Sequence, residues 1–525
     1  MTTVVPPTSP SVPNRVSVRM YRGLLGDCFL LTQELGDSSF RALIDCGVLQ
    51  CIGREKPQTG KGAGRLARVV EDLARDAGGH LNLVIVTHAH YDHVSGFILQ
   101  NAAFANITID QLWLAWTENR DDELARAIRE KRSRGLAALA AAFAAAKGMG
   151  LEAADPATAE RLQTVGDLLQ FYGEIERLDD GLAVASAGSA GRPRSCDGAI
   201  EWLKAKVGAE RVTYFEPGQQ VAFGLEGALV ANVLGPPRTE HRLTQMDPSP
   251  GKGREVYLTG ADEIRSLETT LRLADGSAGA EVARTDLPFT GRFRRWPKPG
   301  SYDAVARLYY DSGSAERRID GEWLGSAEAL ALKVDGDVNN TSLALAIEIP
   351  GGDVLLFPGD AQVGNWLSWH DQRYPSTRRQ DASTAGKIED VPGAKTATEL
   401  LARVVLYKGG HHLSHNATAR ALGLELMTSP DLVAMGPVVS AVAHEQRTRS
   451  NPDGWAMPYG DLLARLKEKT RGRLVLGDGD PDAERRAFAG SRFTIRHSGA
   501  EADPLWVELS LDDADRSQEP SQRPR

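Results

Sequence analysis

Thirteen residues, LNLVIVTHAHYDH (81–93), constrain the fold of this chain more than any other stretch. LNLVIVT is apolar on almost every residue, as a strand covered on both faces of a sheet requires. It runs without a turn into His88, His90, Asp92 and His93. The chain holds 11 histidines in 525 residues, so three within six positions beside an aspartate is a local concentration of one chemistry. Four such groups at the end of a buried strand repel one another or leave hydrogen-bonding capacity unused unless a cation sits among them. Imidazole nitrogens with a carboxylate suit zinc, manganese or iron, and one short loop of this kind can serve two ions. In α/β folds the C-terminal ends of buried strands are where ligands bind. The pattern predicts an α/β chain with a metal-binding loop at one sheet edge.

The surrounding elements fit that class. VSVRMYR (16–22), DCFLLTQ (27–33) and FRALIDCG (40–47) read as strands, the last ending in Asp45. RLARVVEDLARDAGG (65–79) places Leu66, Val69, Val70 and Leu73 on one helical face and stops at a glycine pair. Residues 119–208 are Ala-rich and helical and read as an insertion covering the core. Strands resume at 211–215, 220–223 and 228–237, and 239–335 reads as a second, irregular insertion. SLALAIEI (342–349) and VLLFPGD (354–360) form a hairpin ending in Asp360. A helix follows around QVGNWLSWHD, and RVVLYKGG (403–410) opens into His411 and His412. A helix at 459–469 and the strand RLVLGD (473–478) complete the reading. The expected organisation is a catalytic domain over 16–511 carrying both insertions. A leader (1–15) and tail (512–525), both polar and Pro-containing, are expected to be disordered.

Composition narrows the partners. Lys plus Arg is 61 against 70 for Asp plus Glu, a net charge of −9, which argues against non-specific coating of DNA or anionic membranes. No apolar run approaches the roughly 18–20 residues of a membrane helix, and the first fifteen residues lack the pattern of a signal peptide. Four cysteines in 525 residues do not make a disulfide framework. Reduced thiols and a cytoplasmic location are the expectation.

Taken together, GDCFLL and LIDCG (26–47), THAHYDH (87–93), NNTSLALAI (339–347), LLFPGDA (355–361) and YKGGHHLSHN (407–416) resemble the metallo-β-lactamase superfamily. Within it they resemble the branch typified by the soluble domain of ComEC-type DNA-uptake proteins, over most of the chain outside the two insertions. The resemblance implies a four-layer αβ/βα sandwich with a dinuclear site along one edge of two facing sheets. It makes His88 and His90 ligands of a first metal, Asp92 and His93 ligands of a second, and Asp360 a bridge between them. Asp45 becomes the carboxylate that holds the His-rich loop by hydrogen bonds. His412 or His411 completes the second metal; family placement favours His412, leaving His411 to contact substrate or donate a proton. Where the family at large has a third histidine for the first metal, this chain has Asn339-Asn340-Thr341-Ser342, as the ComEC-like branch does. Asn340 or water is expected to fill in there.

The implied activity is hydrolysis by a metal-bridging hydroxide oriented by Asp92, with two Zn²⁺ ions, or Mn²⁺ in their place. The ComEC-like branch points to phosphodiesters: DNA first, a small diester such as a phosphocholine ester or cyclic nucleotide second. GRFRRWPK (291–298) interleaves Arg292, Arg294, Arg295 and Lys298 with Phe293 and Trp296, and reads as a solvated loop or as a phosphate-neutralising, base-stacking segment. Trp366 and Trp369 read as core or as cleft lining. The two insertions suggest a lid or a site for a protein partner or regulator. An activator-gated effector and a non-catalytic partner-binding module are the alternatives.

Overall fold

The computed structural model describes residues 14–51, 61–148, parts of 159–169, 193, 195–245, 323–376, 393–445, 454–499 and 503–512. Arg292, Arg294, Arg295 and Trp296 lie outside the described residues, as do most of 239–335, residues 1–13 and residues 513–525.

The chain is α/β and builds two mixed sheets. In chain order the strands are β1 (Asn14–Tyr21), β2 (Leu24–Leu25), β3 (Cys28–Leu35), β4 (Ser38–Cys46), β5 (Gln50–Cys51), β6 (His80–Ile85), β7 (Thr108–Ala115) and β8 (Val212–Phe215). Then come β9 (Gln220–Phe223), β10 (Leu229–Gly235), β11 (Ala344–Glu348), β12 (Val354–Phe357), β13 (Val404–Lys408), β14 (Val433–Gly436), β15 (Leu474–Leu476), β16 (Thr494–His497) and β17 (Trp506–Asp512). The eight-stranded sheet is ordered β16-β17-β1-β3-β4-β6-β7-β8, the seven-stranded sheet β15-β14-β13-β12-β11-β10-β9, and β2 pairs with β5 in a short ribbon. Each large sheet is antiparallel through one half and parallel through the other: β4, β6, β7 and β8 run parallel in the first, and β12 to β15 in the second. Parallel neighbours need crossovers. Helices Lys61–Asp76, Tyr91–Leu99 and Cys196–Val207 fall within those of the first sheet.

Period-two alternation explains the packing. Val16, Val18 and Met20 of β1, Phe29 and Leu31 of β3, and Ala42 and Ile44 of β4 point to one side. There they meet Leu345 and Ile347 of β11 and Leu355 and Phe357 of β12 in a core shared by the two sheets. The opposite face of the first sheet, with Leu30, Leu43 and Val84, packs on Leu66, Val69, Val70 and Leu73 and on Phe97 and Ile98 of the helices. The opposite face of the second sheet, with Leu356 and Tyr407, packs on Trp366, Trp369, Leu400 and Leu401. Trp366 and Trp369 are therefore core residues, their rings 4.0 Å apart.

Among the described residues of the segment 119–208, two helices differ in character. Cys196–Val207 buries Ala199, Ile200, Leu203 and Val207 in the layer behind the first sheet. Glu123–Gly148 instead packs Ala138, Leu139 and Ala142 with Leu330, Ala331 and Val334 of the helix Trp323–Asn339. That second helix leads into Asn340. Cys28, Cys46 and Cys196 are buried and in no disulfide. Among the described residues no helix is long and apolar enough to cross a membrane.

Candidate metal centre

The site forms where strands from both sheets end at the same edge. On the first sheet, β6 gives way to Val86 and Thr87, and the helix Tyr91–Leu99 begins inside the His-rich motif. Asp92 and His93 thus sit in its first turn, where a carboxylate is favoured by the helix dipole. Asp45, at the end of β4, organises the loop. Its Oδ1 accepts from the Thr87 amide at 2.8 Å, and its Oδ2 accepts from Thr87 Oγ1 at 2.7 Å and from His93 Nδ1 at 2.8 Å. Donating through Nδ1 leaves His93 Nε2 as the nitrogen that faces inward. That atom lies 3.2 Å from Asp360 Oδ2 and 3.5 Å from Asp92 Oδ2. Thr87 Oγ1 also lies 3.0 Å from His88 Nδ1. His88 Nε2 and His90 Nδ1 face each other at 3.0 Å.

The second sheet supplies the other half. After β12 the chain turns through Gly359, with φ +60, where a Cβ would come 2.9 Å from Ser342 Cβ and 3.1 Å from Thr87 Cβ. Only glycine fits that turn without strain. The Ser342 hydroxyl accepts the Asp360 amide at 3.0 Å, and the Leu343 amide donates to the Thr87 carbonyl at 2.9 Å, tying the two sheets together beside the histidines. After β13 the backbone makes a turn in which three successive side-chain-bearing residues are left-handed: His411 (φ 40), His412 (φ 49) and Leu413 (φ 57).

That turn separates the two histidines. His412 Nδ1 donates to the Pro437 carbonyl at 2.8 Å, and its Nε2 reaches Asp92 Oδ2 at 2.7 Å. His411 turns its ring toward Ser414 and Asn416, with Nδ1 3.0 Å from Ser414 Oγ and 3.3 Å from Asn416 Oδ1. Its backbone amide donates to Asp360 Oδ1 at 2.9 Å.

Burial and charge divide the imidazoles. Burial pushes His88 well down and His90 down to about 3, which keeps both neutral. Burial also opposes charge on His93 and His412, but the carboxylates of Asp360 and Asp92 outweigh it and raise both. Asp92 and Asp360 are held below the usual carboxylate range: burial works against this, and His93 overcomes it.

The buried side-chain atoms lacking a hydrogen-bond partner include Asp27 Oδ1, Asp92 Oδ1, His93 Nε2 and Asp360 Oδ2. Buried groups with inward atoms left over are what a cation site shows without its cation. Three sets place one ligand atom per residue within 4.8 Å of each other: His88, His93 and Asp360; Asp92, Asp360 and His412; and Asp27, Asp45 and His93. The donor set of nitrogens and carboxylate oxygens fits divalent transition metals.

No family model matches the chain, and no curated protein does either.

Of the residues singled out from the sequence, His88, His90, Asp92, His93, Asp360 and His412 come together, and Asp45 bonds to the loop that carries four of them. Asn340 is engaged elsewhere. Its Nδ2 donates to the Gln245 carbonyl at 2.9 Å and its Oδ1 accepts the Asn365 amide at 3.2 Å, so its amide ties Gln245 to the helix Val363–Ser368. Asp27 and Lys408 went unnoticed, yet both are buried in the centre and pair with each other. The available signals were an acid opening an apolar strand in GDCFLL and a lysine closing one in VVLYK.

Proposed function

We propose that this chain is a dinuclear metal-dependent hydrolase with the four-layer sandwich of the metallo-β-lactamase superfamily. Phosphodiesters are its substrate class, with DNA foremost. The observation that carries the reading is the convergence, from two different sheets, of His93 Nε2, Asp92 Oδ1 and Asp360 Oδ2, all buried and without a hydrogen-bond partner. His88 and His90 would hold one ion, and Asp92, His93 and His412 the other. Asp360, whose Oδ2 faces His93, would be shared by both. Two divalent ions bound there, Zn²⁺ or Mn²⁺, would supply an acidified water and stabilisation of the negative charge that develops on a phosphodiester.

The chain's own residues do the rest. Asp45 holds His93 with its Nε2 inward, the Pro437 carbonyl does the same for His412, and burial keeps His88 and His90 neutral and able to ligate. His411, partly exposed beside the cluster and bonded to Ser414 and Asn416, would meet substrate. The preference for phosphodiesters rests on the ComEC-like motifs. Buried cysteines outside any disulfide are compatible with a cytoplasmic location.

The test is a paired assay of the chain and Asp92→Ala, each loaded with Zn²⁺ or Mn²⁺, on single- and double-stranded DNA, RNA and bis-p-nitrophenyl phosphate. DNA cleavage that disappears in the variant supports the nuclease reading. Turnover of the small diester alone replaces it with a small-molecule phosphodiesterase. Silence on every substrate with two ions bound refutes a constitutive phosphodiesterase and favours a gated effector or a partner-binding module.

A further inference from the structure

Among the described residues Lys408 is the one buried ammonium group of the candidate centre, about 1% exposed at the end of β13. An ammonium has three protons to donate, and three acceptors surround this one: the Gly359 carbonyl at 3.1 Å, Asp360 Oδ1 at 3.2 Å and the carboxylate of Asp27. Asp27 immediately precedes β3 of the opposite sheet and is anchored to the His-rich loop. Its amide donates to the Asp92 carbonyl at 2.9 Å, and its carbonyl accepts from the Gly47 amide at 2.8 Å. A Cβ at Gly47 would lie 2.1 Å from the Asp92 carbonyl carbon, so this approach requires glycine. The Asp27–Lys408 pair therefore crosses between the sheets directly behind Asp360.

The consequence falls on Asp360. Its Oδ1 accepts from both Lys408 Nζ and the His411 amide. Its Oδ2 has no hydrogen-bond partner and faces His93. A carboxylate with one oxygen saturated by two donors cannot grip a single cation with both oxygens.

We propose that Lys408, fixed by Asp27, is a positioning residue that leaves Asp360 a single oxygen, Oδ2, to offer to cations. The proposal rests on the metal-centre reading above. A competing role is neutralisation of Asp27 alone, with no bearing on how Asp360 binds. The double substitution Asp27→Asn/Lys408→Met separates the two, because it removes both charges together and leaves no unpaired ion in the interior.

The metal-free chain, Lys408→Met, Asp27→Asn and the double variant are titrated with Mn²⁺. Bound ions are counted by elemental analysis, and magnetic coupling between them is read by electron paramagnetic resonance. Circular dichroism checks the fold. Two manganese ions that share a carboxylate are coupled whether it bridges through one oxygen or both, but a one-oxygen bridge holds them closer and gives a different exchange splitting. The parent chain is expected to bind two ions with the splitting of a one-oxygen bridge. Lys408→Met and the double variant are expected to change that splitting, and the double variant to hold the second ion about 10–100-fold more weakly. Asp27→Asn keeps the ammonium on Asp360 and is expected to keep the parent's splitting, with weaker binding because that charge is no longer balanced.

The parent's splitting in the double variant overturns the positioning role even if Lys408→Met fails to fold. A parent chain that binds two coupled ions alongside variants with the same splitting overturns this proposal and leaves the metal centre standing. A parent chain that binds no Mn²⁺ or Zn²⁺ overturns both.

Discussion

Asp45→Asn is the substitution that most directly tests how the centre is organised. The carboxylate is fully buried and accepts three hydrogen bonds, two from Thr87 and one from His93, all between 2.7 and 2.8 Å. Asparagine keeps the shape and still accepts the Thr87 amide. Its NH₂ group, however, now points at Thr87 Oγ1 and His93 Nδ1, which previously donated. To bind a metal the imidazole must give up a proton, and with an amide NH₂ facing Nδ1 it releases the one there and keeps the one on Nε2, the atom 3.2 Å from Asp360 Oδ2. A protonated nitrogen cannot ligate. Losses of this kind, in the groups that orient a ligand histidine, cost about 10–100-fold in metal affinity, or about 1.4–2.7 kcal/mol. The metal-free chain should also lose about 3 kcal/mol as charge-assisted bonds become neutral ones. Titration calorimetry with Zn²⁺ measures the first quantity and urea unfolding the second. An Asp45→Asn chain that binds two ions with the parent's affinity would refute the argument that this contact sets the face His93 presents.

Other expectations follow from the same geometry. His412→Ala should bind one ion fewer by elemental analysis, whereas His411→Ala should retain the full complement; equal losses would contradict the separation of the two rings. The pH dependence contributed by His88 and His90 has a definite sign. Both are depressed by burial, His90 to about 3, so between an unfolded value near 6.5 and the folded value the unfolded chain takes up protons the folded chain refuses. Their contribution should be complete above about pH 6.5 and be lost as pH drops below it, each such histidine adding a slope of about 1.4 kcal/mol per pH unit. The raised His93 and His412 act above about pH 6.5, where their contribution falls as pH rises. Urea unfolding at pH 7 and pH 5 should show His90→Gln losing one such slope; an unchanged slope would count against its being neutral when folded. Trp366→Ala should cost about 3–5 kcal/mol, the price of emptying a core aromatic site; a small loss in melts would mean the ring lines a cleft instead.

Much of the centre was legible because the residue types are restrictive. Three histidines with an aspartate after an apolar strand, Asp45 closing LID and Asp360 closing FPGD are each readable from the local pattern alone. The choice between His411 and His412 was not, because it depends on how a left-handed turn aims two adjacent rings. Lys408 was equally hidden: a lysine at a strand end ordinarily reads as solvated, and only the approach of Asp27 from the other sheet makes it a buried cation. Among the strands, β7 mixes polar and apolar residues and β14 has four residues, so neither announces itself by pattern. β17 pairs with β1 from the opposite end of the chain, Val507 against Met20 and Leu509 against Val18, and no local signal specifies a partner so distant. The helix Cys196–Val207 has the apolar stripe of any amphipathic helix. Its place behind the first sheet, among helices elsewhere read as covering material, is a tertiary choice.

The turn at His411, His412 and Leu413 makes this corner of the molecule locally frustrated. An L-residue held left-handed loses about 1–2 kcal/mol relative to its preferred backbone, and here three do so in succession. Glycine at 411 would relax the first of them while keeping the amide that donates to Asp360, so His411→Gly should melt higher than the parent, not lower. A chain made more robust by deleting one of its histidines has a working edge that its own backbone resists, and stabilising changes at this turn would come at the expense of what the side chains do there.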